Sequence, residues 1–283
     1  MVLSARTCVK TNPAKNRLEP VSTQFKIGAL RDLYTQPLYH TLNSSSDTSE
    51  ELLFDTPAEH IDKLMSNELN AAFIHPMDYA LNSSDLIIFP GVGVSASGFA
   101  STVRLYLRSD VRNITVMAVG AVTTTDVVLT RLVLTEKYDS APSILPVAGT
   151  IDDMLAKADC ALVAGDAVLD VHSTRPYIDI IDEWSDISEL PFVHAFCVTR
   201  GESFNKELSE RLLISQEAGK NNLRAVADNL SRDHRHSPDT IYNFLSHFSY
   251  GFDDQSRESL ETFFQMSFYH GVLGDVPEIN VGK

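Results

Sequence analysis

From residue 25 to residue 200 the chain alternates short apolar runs with stretches of helical character, and after Arg200 it turns to helices. Short strands alternating with helices imply α/β architecture. The runs at 25–30, 51–55, 71–74, 85–89, 102–107, 114–119, 144–147, 161–164 and 192–198 read as strands. Glycines 91, 93 and 98 interrupt the stretch after the fourth. Helix starts are legible between strands. Thr56-Pro57-Ala58-Glu59 offers a cap, a proline suited to the first helical position and a capping-box acid. Thr150 with Asp153 signals another start, as do Ser237-Pro238 and Asp253-Asp254 in the tail, where helices are expected over 203–231, 237–250 and 254–271. A helical tail of this kind implies that the chain returns to complete the lobe in which it began. The expected molecule is a two-lobed α/β protein that binds a small anionic molecule between its lobes.

The 283 residues suffice for one large or two medium domains. Their net charge of −15 argues against nucleic acid and anionic membrane as partners, because the molecule's own field repels both. No apolar run reaches the length of a membrane span. Residues 1–24 hold no apolar signal segment, carry Pro13 and Pro20, and read as a disordered leader, with the cytoplasm as default location. The three cysteines, Cys8, Cys160 and Cys197, form no CxxC pair. Cys160 and Cys197 sit in apolar runs and read as buried hydrophobes rather than a disulfide or metal pair.

Hydroxyl-rich strand-to-helix junctions carry the functional signal. Thr123, Thr124 and Thr125 stand at the start of an apolar helix, where free backbone N–H groups suit a carboxylate or phosphate; one Thr would suffice for capping alone. In Ser95-Ala96-Ser97-Gly98 the glycine would let backbone approach a ligand, or simply turn the chain. Asp166, after Gly165, either caps the next helix or faces a cleft. His75 and His194 are possible general bases, or structural. Trp184 reads as packing. His234 and His236 lack a third ligand at usual spacing, so no metal site is expected there. Walker A, GxGxxG, GxSxG and HExxH patterns are absent.

The order of motifs nonetheless resembles one family. Lys26-Ile27-Gly28 followed by Pro37-Leu38, Gly98 with Thr102-Val103, the helix opened by Thr123–Asp126, Gly165-Asp166-Ala167-Val168-Leu169, Asp179 with Glu183-Trp184, and residues 190–196 ending at Arg200 are similar to the chorismate dehydratase family of the futalosine route to menaquinone. Tyr250-Gly251 and residues 261–264 fit as well. The resemblance implies a periplasmic-binding-protein type II-like fold used as a cofactor-free enzyme, with lobes over 25–107 plus 199–283 and over 108–198. It implies elimination of water from chorismate to give 3-[(1-carboxyvinyl)oxy]benzoate, driven by aromatisation. Thr123, Thr124 and Thr125 would bind a substrate carboxylate, Ser97, Gly98 and Thr102 would line the opposite wall, and Asp166 and His194 would join the site. Tyr34 stands where the family pattern has a pocket Asn and takes the catalytic position. Asp126 stands where a hydroxyl is expected. Two alternatives stay open: a non-catalytic binding protein for a small carboxylate, and a 1,4-dihydroxy-6-naphthoate synthase-like enzyme, whose Cys-Pro-Asn motif is missing here.

Overall fold

A computed structural model describes residues 24–42, 50–171 and 174–283. The leader expected over 1–24, including Cys8, falls outside these except for residue 24. The elements run β1 (Phe25–Gly28), β2 (Glu50–Leu53), α1 (Pro57–Met65), β3 (Ala71–Ile74), α2 (Pro76–Ala80), β4 (Leu86–Ala96) and β5 (Val103–Leu107). Next come β6 (Val116–Val119), α3 (Thr124–Tyr138), β7 (Ser143–Pro146), α4 (Ile151–Leu155), β8 (Cys160–Ala164), β9 (Tyr177–Asp179) and α5 (Ile180–Ser188). The chain closes with β10 (Phe192–Arg200), α6 (Lys206–Asn221), α7 (Leu223–Leu230), α8 (Pro238–Leu245), β11 (Phe248–Tyr250) and α9 (Asp254–Tyr269).

Two sheets organise the molecule. The first has the order β11-β4-β10-β3-β1-β2, the second β7-β6-β8-β5-β9. Within the first, β1 is parallel to β2 and β3, while β10 runs antiparallel between β3 and β4. In the second, β6 is parallel to β7 and β8, and β5 lies antiparallel to β8 and β9. The fold is thus α/β with a lobe on each sheet, as the alternation of elements implied.

The lobe boundaries differ from those expected. Val103–Leu107 pairs in the second sheet, and Phe192–Arg200 pairs in the first. The chain therefore crosses between lobes near 97–102 and 189–191, not at 107 and 198. Both strands are short buried runs, and such a run does not encode which distant strand it will join. Other expectations shift for local reasons. β4 continues through Gly91 and Gly93 instead of being interrupted; a Cβ at Gly93 would stand 3.1 Å from the Ala195 carbonyl, so glycine allows β10 to approach there. The long helix expected over 203–231 is broken at Asn222. The tail is not all helix, because β11 extends the first sheet.

The capping signals are realised. Thr56 with Glu59, Thr123 with Asp126, and Thr150 with Asp153 each form a reciprocal capping box. Cys160 and Cys197 are buried free thiols. Trp184 is fully buried and packs edge-on to Phe192 and Phe263, joining α5 of the second lobe to the first. No described helix is long and apolar enough to cross a membrane.

Candidate functional site

In α/β sheets the loops leaving the C-terminal ends of parallel strands gather into one crevice. Here β1 leads to Asp32 and Tyr34, β3 to His75, β6 to Thr123 and Asp126, and β8 to Gly165 and Asp166. These loops come from both sheets and enclose a chamber of ≈ 80 Å³. Asp32, Tyr34, Thr102, Thr123, Asp126, Gly165 and His194 line it. A wider groove of ≈ 600 Å³ shares Asp32 and Thr123 with the chamber and adds Arg31, His75, Asp78 and Thr124.

Tyr34 sits in a 3₁₀ turn over Leu33–Tyr39. Its ring stacks on Phe248 and lies 5.3 Å from that of His194. Its hydroxyl is 3.3 Å from His75 Nε2. Burial raises the Tyr34 phenol well above its ordinary range, and Asp32, Asp126 and Asp166 add to the effect, so the hydroxyl keeps its proton. Burial opposes a charge on His75, but Asp78, whose carboxylate is 3.3 Å from Nδ1, outweighs it together with Asp32 and Asp126; the pKa of His75 is raised. His194 behaves oppositely. It lies on β10 among Tyr34, Phe192 and Phe248, and burial, reinforced by His75, pushes its pKa down to about 3. One histidine is thus drawn toward its charged form while the other is held neutral.

Two residues that line the chamber each carry a buried polar atom without a protein partner: Thr102 Oγ1, in a residue 1% exposed, and His194 Nε2, in a residue 5% exposed. A buried polar group without a partner is costly, so such atoms mark a place where a ligand group completes the set. Among the described residues Trp184 Nε1, Tyr250 OH and Ser267 Oγ are also without partners, but none lines the chamber.

At the expected anion site, the start of α3, the protein sets a carboxylate of its own. The Thr123 backbone N–H donates to Asp126 Oδ2 at 3.0 Å, and its hydroxyl donates to the same oxygen at 2.7 Å. Burial lifts the Asp126 pKa above its ordinary value, the two Thr123 hydrogen bonds acting against it. Thr125 is buried, and its hydroxyl accepts the Met77 N–H, which ties α3 to α2 across the lobes. Thr124 faces the outer groove. Asp166 accepts the Leu33 N–H with both oxygens, at 2.9 and 3.1 Å, bridging the lobes. Its pKa is raised to about 7 by burial and by the neighbouring Asp32.

Of the residues singled out in the sequence, Tyr34, Thr102, Thr123 and His194 meet at the chamber. Ser97 and Gly98 do not. Ser97 lines a separate depression with Ser185, Ser249 and Asp253, and the Gly98 N–H donates to Ser185 Oγ. Sequence reasoning missed Asp32 as a wall residue and Phe248 as the platform under Tyr34. Asp32 lies two residues before Tyr34 and was within reach. Phe248 had no signal, since it arrives from the far end of the chain. His234 and His236 form no metal cluster; among the described residues no group of three or more metal-type side chains converges. A larger depression, ≈ 710 Å³ on the second lobe beside Thr150 and Arg175, lines up none of the acid–base groups above.

A menaquinone biosynthesis family model matches residues 25–269. The chain belongs to this family. Among solved structures, protein AF1704 from Archaeoglobus fulgidus is similar with a TM-score of 0.68 at 15% identity, covering 88% of this chain and 98% of its own. An ABC transporter protein from Parabacteroides distasonis matches with a TM-score of 0.66 at 16% identity, over 92% of this chain and 99% of its own. The periplasmic aliphatic sulphonate binding protein SsuA from Escherichia coli matches at 0.65 and 12% identity, over 91% and 96%. At these identities the likeness establishes the fold of this family member, the periplasmic-binding-protein fold, and no ligand.

Proposed function

We propose that the chain is a menaquinone-pathway enzyme that removes water from a small cyclic hydroxy acid held between its lobes, with chorismate as substrate and 3-[(1-carboxyvinyl)oxy]benzoate as product. The observation that carries this reading is the Tyr34–His75 hydrogen bond at the wall of a chamber that also holds carboxylates. Dehydration needs a group that gives a proton to the departing hydroxyl and another that takes one from ring carbon. Tyr34 is protonated, and His75, biased toward its charged form, stands behind it to replace the proton. Asp32 and Asp126 are the acceptors within the same walls. One C–H and one C–O bond break, the ring gains a double bond, and water leaves. The reaction balances with no oxidant or reductant, and aromatisation drives it. The chamber is smaller than the roughly 300–1,000 Å³ of ordinary small-molecule sites, so substrate enters as the lobes part and extends into the groove, where Arg31 is the one Arg or Lys among the lining residues.

The test is incubation of purified protein with chorismate, following the aromatic product by chromatography. Product formed in proportion to enzyme supports the reading; its absence at high enzyme concentration rejects it. The acidic cap at α3 favours one competing reading, a non-catalytic binding protein, which would raise the melting temperature with ligand and yield no product.

A further inference from the structure

The chamber's polarity bears on the class of group it receives. Its walls carry Asp32 and Asp126 and no Arg or Lys. At the start of α3 the Asp126 carboxylate folds back onto Thr123, drawing both its N–H and its hydroxyl, and so sets a negative group where an anion would approach the helix. A substrate carboxylate placed there would face two protein carboxylates, which repel it. A hydroxyl would instead donate to a carboxylate and accept from a neighbour. The structure supplies both kinds of partner. The unpartnered Thr102 hydroxyl can donate or accept, and the neutral ring of His194, a lining residue, has one donor and one acceptor nitrogen, of which Nε2 is without a partner. Arg31 lines the groove outside together with His75; one of its amino groups donates to the Phe54 carbonyl and its guanidinium covers the Phe54 ring.

We infer that Asp126 is a specificity-determining residue. It makes the chamber a receptor for the uncharged, hydroxyl-bearing edge of the substrate ring, and sends the substrate's carboxylate outward toward Arg31. The inference rests on the chamber being the substrate site, and it names the orientation in which the substrate lies.

Two commercial ring acids separate the possibilities. Shikimate carries three hydroxyls and one carboxylate; isophthalate carries two carboxylates and no hydroxyl. By calorimetry the wild-type protein is expected to bind shikimate about tenfold or more tightly than isophthalate, since a site built for hydroxyls rejects an analogue that lacks them. Asp126→Asn keeps an oxygen that accepts the Thr123 N–H, so the cap persists and the melting temperature should stay near that of wild type. The variant should bring the two affinities to within about threefold of each other. Thr102→Val, which is nearly isosteric, should weaken shikimate and leave isophthalate unchanged. Equal affinities in the wild type, an unchanged preference in Asp126→Asn, or failure of both acids to bind overturns the inference. Chorismate turnover is scored separately. Turnover without the hydroxyl preference removes this inference alone, and the preference without turnover removes the dehydratase reading alone.

Discussion

His194 and Asp166 show how the same physical cause acts on opposite kinds of residue. Burial favours the neutral form of each, so it lowers the histidine to about 3 and raises the aspartate to about 7. The consequences for stability have opposite signs. A histidine whose folded pKa is depressed contributes stability above its unfolded value near 6.5, and loses it as pH falls toward 3. His194→Phe, which suits the aromatic surroundings of Phe192 and Phe248, should therefore gain melting temperature over wild type as pH drops from about 6.5 to 4. It should also lose ligand binding, because Phe has no polar edge. A carboxyl whose folded pKa is raised contributes stability that is complete below its unfolded value, near 3.8, and lost as pH rises through about 7. Asp166→Asn still accepts the Leu33 N–H, so it should be a few degrees more stable than wild type at pH 8 and close to it at pH 4. Scanning fluorimetry across pH checks both; a difference that does not change with pH would contradict the burial argument. The candidate site was partly legible at this scale. Thr123 and His194 were found because hydroxyls at strand-to-helix junctions and polar residues in apolar runs stand out, whereas Tyr34 and Thr102 came from the family resemblance. The neutralisation of Thr123 by Asp126 was not found, because a capping acid and a ligand-facing hydroxyl look alike in a linear sequence.

Local signals set the elements, and distant packing decides where they stop. Thr56 caps α1 and Glu59 reaches back to it, as the motif indicated. Thr56→Ala should cost about 1 kcal/mol, read as a lowered denaturation midpoint with an unchanged slope. By contrast, nothing local explains why Gly219 lies inside α6. The reason is its neighbour: a Cβ there would fall 1.9 Å from the Pro37 carbonyl oxygen, in the turn that carries Tyr34. Gly219→Ala forces backbone against backbone, so the cost should reach or exceed the ~3 kcal/mol typical of severe overpacking. Activity should fall more than stability alone explains, because the Tyr34 turn must move. A variant of ordinary stability and activity would show that α6 does not position that turn. The same distinction accounts for the misplaced lobe boundaries. The apolar character of β5 and β10 was visible, but the partners that assign β5 to the second sheet and β10 to the first are distant in sequence: Leu107 pairs with Cys160 of β8, and Phe192 with Ala96 of β4.

Across the whole molecule the lobes are held together by polar contacts at the rim as well as by Trp184 near the crossing segments. Asp170 of the second lobe meets Arg235 at 3.0 Å and His236 at 3.1 Å, both in the loop between α7 and α8. On another flank, Glu136 of α3 meets His270 at the end of α9 at 2.6 Å. Arg235 and His236 thus serve as an inter-lobe contact. Exposed pairs of this kind contribute only ~0–1 kcal/mol each, which is the scale of a closure that must reverse in every binding cycle. Asp170→Asn should raise the radius of gyration of the ligand-free protein in solution scattering. Ligand should restore the compact value, and an unchanged radius would show that the contact does not govern closure.

The central claim is that the ligand lies in the chamber between the sheets. Hydrogen–deuterium exchange with and without saturating chorismate tests it most directly. The account expects slowed exchange confined to amides near 30–36, 100–104, 121–126 and 164–167, the segments that bring Tyr34, Thr102, Thr123 and Asp166 together. Protection centred instead on 149–154 and 170–175, around the larger depression of the second lobe, or no protection at all, would contradict it.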